Sequence, residues 1–261
     1  MFYFVRKVVV FGYLLDKADF FKTFINLHLR PTPMAAVKNN DFIEVEYTGR
    51  LKGDNSVFDT TDKEIAKKSG LESENASYGP VIVCVGEGHL IKGIDKAIVG
   101  KEEGKEYKFE FPPEEAFGKK DAKLIQLIPT GKFRQNKIQP VPGLQINIDG
   151  IVGTVKTVSG GRTLVDFNHP LAGKEVLYNL RIKRIVNDDN ERLLAFLKLN
   201  LGYNDNDFRI EINENEAKVN FEHKIPKEAE EQLSNEASRL IPSIRKIVFT
   251  TQEEKKEGEN K

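Results

Sequence analysis

The stretch YGPVIVCVGEGHLIKGIDKAIVG, residues 78–100, decides the fold. It opens with a Gly79-Pro80 turn, and the apolar, largely β-branched run 81–85 then predicts a buried strand. Gly86-Glu87-Gly88 interrupts that strand. Apolar residues then recur at helical spacing and predict a short helix that ends near Gly100: Leu90, Ile91, Ile94, Ala97 and Ile98. A buried strand followed by one apolar helix requires a sheet that covers the helix.

The flanking sequence predicts the strands of that sheet. Residues 42–49 alternate between apolar and polar, except at Phe42, and residues 57–61 form a second short strand. A short helix is predicted over Lys63–Ser69, and residues 106–111 alternate again before Pro112-Pro113 ends the strand. Several short antiparallel strands and one apolar helix predict an α+β domain in which a curved sheet wraps around that helix.

Composition narrows the class of protein. The 261 residues suffice for two or three small domains, and 40 basic against 40 acidic residues argue against a nucleic-acid binder. The single cysteine, Cys84, is interpreted as a core residue rather than a reactive thiol. A chain with one cysteine cannot form an internal disulfide, which fits a reducing compartment and predicts a cytoplasmic protein. The four histidines and Cys84 lack ligand spacing, so we predict neither a metal site nor a cofactor.

Residues 1–33 differ in character from the rest of the chain. Their apolar runs are too short and too often interrupted by charges to span a bilayer, and no small-residue cleavage site follows them. Ordinary globular sequence begins just after Met34, the only methionine besides Met1. We therefore expect Met34 to be the biological start and residues 1–33 to be a spurious or disordered extension. The alternatives are a membrane-surface helix and a weak export signal.

Four motifs stand in order and at workable spacings: VEYTG at 45–49, FDTT at 58–61, YGPVIVCVGEGHLIKGID at 78–95 and PPEEAFG at 112–118. Together they resemble the FKBP peptidyl-prolyl cis–trans isomerases. Residues 119–166 then intervene before NHPLAGKEV at 168–176, a string similar to SlyD-type and archaeal long-type members that carry an insert-in-flap chaperone domain. The resemblance covers about residues 38–187. It implies an isomerase domain formed by residues 34–118 and 167–187, with the insert at 119–166.

The insert can also be interpreted from its own residues. Short alternating segments and the Ser159-Gly160-Gly161 hairpin signal predict a small, mostly antiparallel β unit. So small a unit has little room for a core, so some of its apolar side chains should stay accessible. In the subgroup that it resembles, such a surface captures unfolded substrates. The alternative is an ordinary subdomain with all its apolar side chains buried.

Residues 188–251 predict a further two-layer α+β unit in the order αββαβ, with the polar stretch 187–190 as the linker that leads into it. Leucines at 193, 194, 197 and 201 stripe its first helix, and Ile244–Thr250 is its last strand. It shows no catalytic constellation, so we expect it to serve in association, as a homodimer contact or a partner-binding domain. The remaining residues, 252–261, are expected to form a disordered tail.

The resemblance implies isomerisation of X–Pro bonds, which needs no nucleophile. Twisting the amide breaks its resonance at a cost of about 20 kcal/mol, and an apolar pocket favours the twisted, less charge-separated amide. The family motif makes Ile94 the pocket floor, and Asp59 and the backbone N–H of Ile91 its polar contacts. The same motif assigns the walls to Tyr47, Phe58, Val81, Leu90, Ile91, Phe117 and Tyr178. Plain core packing is the alternative for each apolar residue.

The sequence therefore predicts a cytoplasmic isomerase and folding chaperone. Its partners would be unfolded or nascent polypeptides with X–Pro bonds, without nucleic acid or membrane. Phe117 stands where many family members carry a tyrosine, which removes one hydrogen-bond donor. The alternative function is a non-catalytic holdase or scaffold with a vestigial pocket.

Overall fold

The computed structural model describes residues 35–73, 76–148, 150–202, 207–221 and 225–251. The expected extension 1–33, the proposed start at Met34 and the expected tail 252–261 lie outside these residues. The strands are β1 Phe42–Leu51, β2 Val57–Thr60, β3 Val81–Cys84, β4 Glu106–Phe111, β5 Ile125–Pro129, β6 Gln145–Ile148, β7 Ile151–Ser159, β8 Arg162–Asp166, β9 Val176–Val186, β10 Phe208–Asn213, β11 Glu216–Phe221 and β12 Lys246–Thr251. The helices are α1 Lys63–Lys68, α2 Lys92–Ala97, α3 Thr130–Gln135, α4 Asp189–Leu201 and α5 Lys227–Leu240. None of these helices is long and apolar enough to cross a membrane.

The first sheet has five antiparallel strands and carries the motif residues. Its order is β2-β1-β9-β4, and β3 also pairs with β1. Helix α2 packs against this sheet so closely that a Cβ at Gly93 would lie 2.4 Å from Cδ1 of Phe111. Antiparallel strands around one short helix agree with the predicted α+β class.

The helix in the deciding stretch is shorter than its apolar spacing predicts. Leu90 and Ile91 precede α2, which begins at Lys92. Ile91 has an extended backbone with φ −60° and ψ 147°, and Gly88 has φ 75°, so neither residue can continue a helix. The prediction that Leu90 and Ile91 lie within the helix is therefore wrong. Both residues lie instead in the loop that leads into α2.

Strand β3 explains why residues 81–85 are apolar without alternation. Val83 and Val85 belong to the core around α2, whereas Ile82 and Cys84 pack into a second core shared with residues 193–247. Both faces of this strand are therefore covered by apolar side chains. Phe42, which breaks the alternation of β1, packs into that second core as well. Cys84 is fully buried, and burial raises the pKa of its thiol to about 12.

The last elements follow the order helix, strand, strand, helix, strand. Their sheet has the order β10-β11-β12, and β12 runs parallel to β11 after the crossover through α5. The stretch 187–190 is not the linker that its polar composition predicts. Asp188 caps α4 by accepting the N–H of Glu191 at 2.9 Å. The helix therefore begins at Asp189, soon after β9 ends at Val186.

Residues 125–166 form a separate four-stranded antiparallel sheet in the order β5-β8-β7-β6. Among its described residues, the apolar core comprises the buried Phe133, Ile146, Val155 and Val165, with three partly buried residues packed on them: Ile128, Leu144 and Phe167. The ring of Phe167 lies so close to β7 that a Cβ at Gly153 would be 2.6 Å from it. This core is small for a sheet of four strands, so much apolar surface is left outside it.

Candidate active site

Four aromatic side chains converge at the open end of the first sheet. Tyr47 comes from β1, Phe58 from β2, Tyr178 from β9 and Phe117 from the turn after β4. The ring of Phe58 lies at the centre, with its centroid 5.6 Å from that of Phe117 and 5.7 Å from that of Tyr178, both edge to face. The rings of Tyr47 and Tyr178 are 6.0 Å apart. Such geometry is favourable for aromatic pairs, and it gathers four predicted wall residues into one cluster.

Gly49 makes this convergence possible. A Cβ at this position would lie 2.7 Å from Cζ of Phe58 and 3.1 Å from Cε1 of Tyr178. The rings therefore lie directly on the backbone of β1, at the point where its register with β2 shifts. Sequence reasoning used Gly49 only as part of a motif and assigned it no role. Its pairing with Asp59 in the β1–β2 register is visible only in the structure, and the sequence signalled no more than a glycine within VEYTG.

The polar end of the cluster is a hydrogen bond between two neighbouring strands. The hydroxyl of Tyr47 donates to Oδ2 of Asp59 at 3.0 Å. The N–H of Thr61 donates to the carbonyl of Tyr47 at 3.0 Å, which holds the two strands in place beside this pair. Burial, together with the charge of Asp59, raises the pKa of Tyr47, so its phenol keeps its proton. Burial and the same carboxylate raise the pKa of Tyr178.

The predicted aliphatic residues lie in the same apolar cluster. Val81, Leu90 and Ile91 are partly buried there, whereas Ile94 is only 1% exposed. The predicted pocket floor is therefore covered by its neighbours. Among the hydrogen bonds of the described residues, the backbone N–H of Ile91 donates to no protein acceptor. That N–H can therefore donate to a group from outside the chain.

His169 stacks on the cluster from the segment that follows the four-stranded sheet. Its ring is parallel to that of Phe117, at an interplanar angle of 1° and a centroid distance of 4.8 Å. Its Nδ1 accepts the N–H of Leu171 at 3.2 Å, which orients the imidazole. The sequence offered no pairing signal for this contact, because His169 lies 52 positions after Phe117 along the chain (169 minus 117).

The sheet of residues 125–166 leaves many apolar side chains exposed. Ile151 is 59% exposed, Val152 55% and Leu127 53%. A groove runs between α3 and strands β5 and β6, and its apolar lining includes Leu124, Ile128, Phe133, Ile138, Ile146, Ile148, Ile151 and Phe167. The alternative in which all apolar residues of the insert are buried is thus contradicted.

A polar network lies at the neck, which we define as the two segments 120–121 and 166–168 that connect this sheet to the rest of the chain. The carboxylate of Asp166 accepts hydrogen bonds from the backbone and side-chain nitrogens of Asn168, at 3.0 and 2.8 Å, and from Nζ of Lys120 at 3.0 Å. Oδ1 of Asn168 accepts the N–H of Asp121 at 2.8 Å. This bond joins the segment that enters the four-stranded sheet to the segment that leaves it. Burial alone would raise the pKa of Asp166, but these hydrogen bonds outweigh it and lower the pKa to about 2.

Two family models match this chain. One, described as FKBP-type peptidyl-prolyl cis-trans isomerase, matches residues 34–133, and another, described as FKBP26, IF domain, matches residues 126–171. The first match contains all but one of the predicted site residues, the exception being Tyr178. The second covers most of the four-stranded sheet that carries the exposed apolar side chains.

Known proteins resemble the chain over more than half its length. A short-type peptidyl-prolyl cis-trans isomerase of Methanocaldococcus jannaschii is 34% identical over 155 residues, which cover 59% of this chain and 98% of that relative. An FKBP-type peptidyl-prolyl cis-trans isomerase SlyD of Helicobacter pylori is 27% identical over 58% of this chain and 76% of that protein. The solved three FKBP domains of wheat FKBP73 align at a TM-score of 0.32 and 16% identity, over 60% of this chain and 43% of that one. That structural similarity is too low to carry an argument.

Proposed function

The chain belongs to the FKBP-type peptidyl-prolyl cis-trans isomerases and is an enzyme of that class; we propose that it acts on X–Pro bonds of unfolded polypeptides at the aromatic cluster. The observation that carries this assignment of the site is the grouping of Phe58, Phe117 and Tyr178 beside the Tyr47–Asp59 hydrogen bond. An apolar environment with one polar edge is what the reaction requires.

The mechanism needs binding rather than chemical bond making. A planar amide is charge-separated by resonance, and this separation is lost when the C–N bond is twisted by about 90°. The rings of Phe58 and Tyr178 exclude water from the amide. Loss of this water raises the free energy of the charge-separated planar amide more than that of the twisted amide, so the barrier to rotation is lower. The N–H of Ile91 orients the substrate through a carbonyl oxygen. Asp59, fixed by Tyr47, supplies the negative edge of the site.

The insert serves, in this proposal, as the capture surface for unfolded chains. Its exposed apolar side chains and groove fit extended, apolar segments better than a folded partner. Capture raises the effective concentration of the attached X–Pro bonds near the isomerase site. The neck network supports this role, because it ties the segments that enter and leave the insert to each other, directly before His169 in the chain.

We also propose how the chain is divided into domains, from the order of its strands and helices. Residues 119–166 form an insert-in-flap domain, and residues 188–251 form a C-terminal αββαβ association domain that pairs two copies of the chain. The single buried cysteine supports action in the reducing cytoplasm.

Refolding of a protein limited by proline isomerisation tests the combined function. The full chain should speed that refolding, and an excess of a permanently unfolded polypeptide should compete for the insert and abolish most of the gain. A holdase or scaffold with a vestigial pocket would slow refolding by retaining the substrate. That alternative is not favoured, because the aromatic cluster and its carboxylate are both in place.

A further inference from the structure

The loop 86–91 leads from β3 into α2 and carries two groups of the candidate site, the side chain of Leu90 and the N–H of Ile91. Gly86 and Gly88 both have positive φ, at 90° and 75°. So short a loop with two such glycines has little stiffness of its own. Its position must therefore be set by contacts from outside.

Helix α2 supplies the first contact. The carboxylate of Asp95 accepts the N–H of Gly86 at 3.2 Å and the N–H of Gly88 at 3.1 Å, one with each oxygen. A second contact ties the loop to the end of β3, where Nδ1 of His89 accepts the N–H of Cys84 at 3.2 Å. Burial lowers the pKa of His89, which keeps its imidazole neutral and able to accept. These bonds fix the loop backbone on the side of the isomerase core.

The opposite side of the loop is held by the last domain. Arg239, near the end of α5, donates from Nη1 to Oε1 of Glu87 at 2.9 Å and from Nη2 to Oε2 at 2.6 Å. This is a bidentate guanidinium–carboxylate pair, which fixes direction as well as distance. The Glu87 side chain is 22% exposed, so solvent screens the pair only in part. Glu87 lies between the two positive-φ glycines, where a change in its position alters the whole loop.

Arg239 is itself fixed relative to the isomerase sheet. Its neighbours Ala237, Leu240 and Ile241 are buried in the core that also contains Phe42 and Cys84 of the first sheet. Cys84 is the last residue of β3, two residues before the loop starts. The helix that carries Arg239 and the strand that starts the loop therefore share one packed core, and Arg239 spans from that core to the loop.

We propose that Arg239 is a positioning residue of the isomerase: by holding Glu87 it fixes the loop 86–91, and so places Leu90 and the N–H of Ile91 for the substrate. This role rests on the proposed function. It gives the C-terminal domain a part in catalysis, in addition to association. The Arg239–Glu87 pair affects where Leu90 and the N–H of Ile91 lie, and it leaves the rings of the aromatic cluster unchanged.

Steady-state kinetics of the full chain on a short X–Pro peptide test the proposal. Arg239→Ala should lower kcat/KM by about threefold to tenfold, as expected for loss of placement through one partly exposed bidentate pair. Arg239→Lys should recover only part of this, because an ammonium cannot form the fork. The exchanged pair Glu87→Arg with Arg239→Glu should recover more than either single change. Arg245→Ala is the matched control, an exposed arginine of the same domain without a side-chain ion pair among the described residues.

Hydrogen exchange separates positioning from mere stabilisation. Arg239→Ala should speed amide exchange in residues 86–91 while exchange in β1 and β9 stays as in the wild type. An active wild type whose kcat/KM and loop exchange are unchanged in Arg239→Ala would overturn the proposal alone. An inactive wild type would overturn it together with the proposed function.

Discussion

The hydroxyl of Tyr47 donates a hydrogen bond of 3.0 Å to Oδ2 of Asp59, across two neighbouring strands of the first sheet. The bond lies at the edge of a cluster whose other members are apolar rings. It fixes the carboxylate at the border between solvent and those rings. Substitutions in this cluster, in the insert and at the neck should therefore have separable effects on catalysis, capture and stability.

Tyr47→Phe should lower kcat/KM for a short X–Pro peptide by about threefold to tenfold. The ring remains beside that of Tyr178, so the loss measures what the hydroxyl contributes. Its hydrogen bond to Asp59 is worth on the order of 1 kcal/mol. Tyr107→Phe is a matched control, because its hydroxyl bonds to the backbone of Glu102 rather than to Asp59. Equal losses in both variants would contradict a specific role for the Tyr47 hydroxyl.

Gly49→Ala should destabilise the chain by about 1–3 kcal/mol and reduce isomerase activity, because its methyl group would overlap the ring of Phe58. Urea unfolding measures the loss of stability, and kinetics on a short X–Pro peptide measure the loss of activity. Gly53→Ala, in the turn after β1, is the control, since nothing lies within 4 Å of its Cβ position. If Gly49→Ala has wild-type stability and activity, the close packing of Phe58 on β1 is not required.

Substituting the most exposed apolar residues of the insert should separate capture from catalysis. Ile151→Asn combined with Val152→Asn removes two side chains that are more than half exposed. Turnover of a short peptide should stay unchanged, while acceleration of proline-limited protein refolding should fall severalfold. Leu199→Asn, an exposed leucine of α4, is the matched control. Unchanged refolding with the double variant would argue against the insert as the capture surface.

Asp166→Asn should weaken the neck and alter its response to acid. The folded chain lowers the pKa of Asp166 to about 2, whereas an unfolded aspartate has a pKa of about 3.9. Its stabilisation is therefore complete above about pH 4 and is lost as pH falls toward 2. In urea unfolding, Asp166→Asn should cost about 1–3 kcal/mol at pH 7, and the cost should shrink as the pH approaches 2. A cost that does not vary with pH would contradict an ionised carboxylate at the neck.

The sequence predicted the class of fold and the members of the aromatic cluster, because both rest on local patterns and on motifs in fixed order. Strand alternation identified β1 and β4. The motifs at 45–49, 58–61 and 112–118 selected Tyr47, Phe58 and Phe117, and the resemblance that resumes after residue 166 selected Tyr178. These residues share one cluster because β1 pairs with both β2 and β9.

What could not be predicted depends on contacts between distant segments. The stacking of His169 on Phe117 joins segments that lie before and after the four-stranded sheet, and Arg239 meets Glu87 across 152 residues. Helical spacing at Leu90 and Ile91 predicts an earlier start for α2, but Gly86 and Gly88 have positive φ and keep both residues in the loop before the helix. The interpretation of residues 187–190 as a linker was wrong, because polar composition is also that of a helix cap.

The most direct test of the central claim is the rate of cis–trans conversion in a short peptide with one X–Pro bond. The full chain is compared with the variant that combines Tyr47→Ala and Asp59→Ala, after both are shown to be folded. We predict that the wild type exceeds the uncatalysed rate and that the variant loses at least about tenfold in kcat/KM. A wild type that cannot be distinguished from the variant, with both at the uncatalysed rate, would contradict catalysis at this site and favour a scaffold.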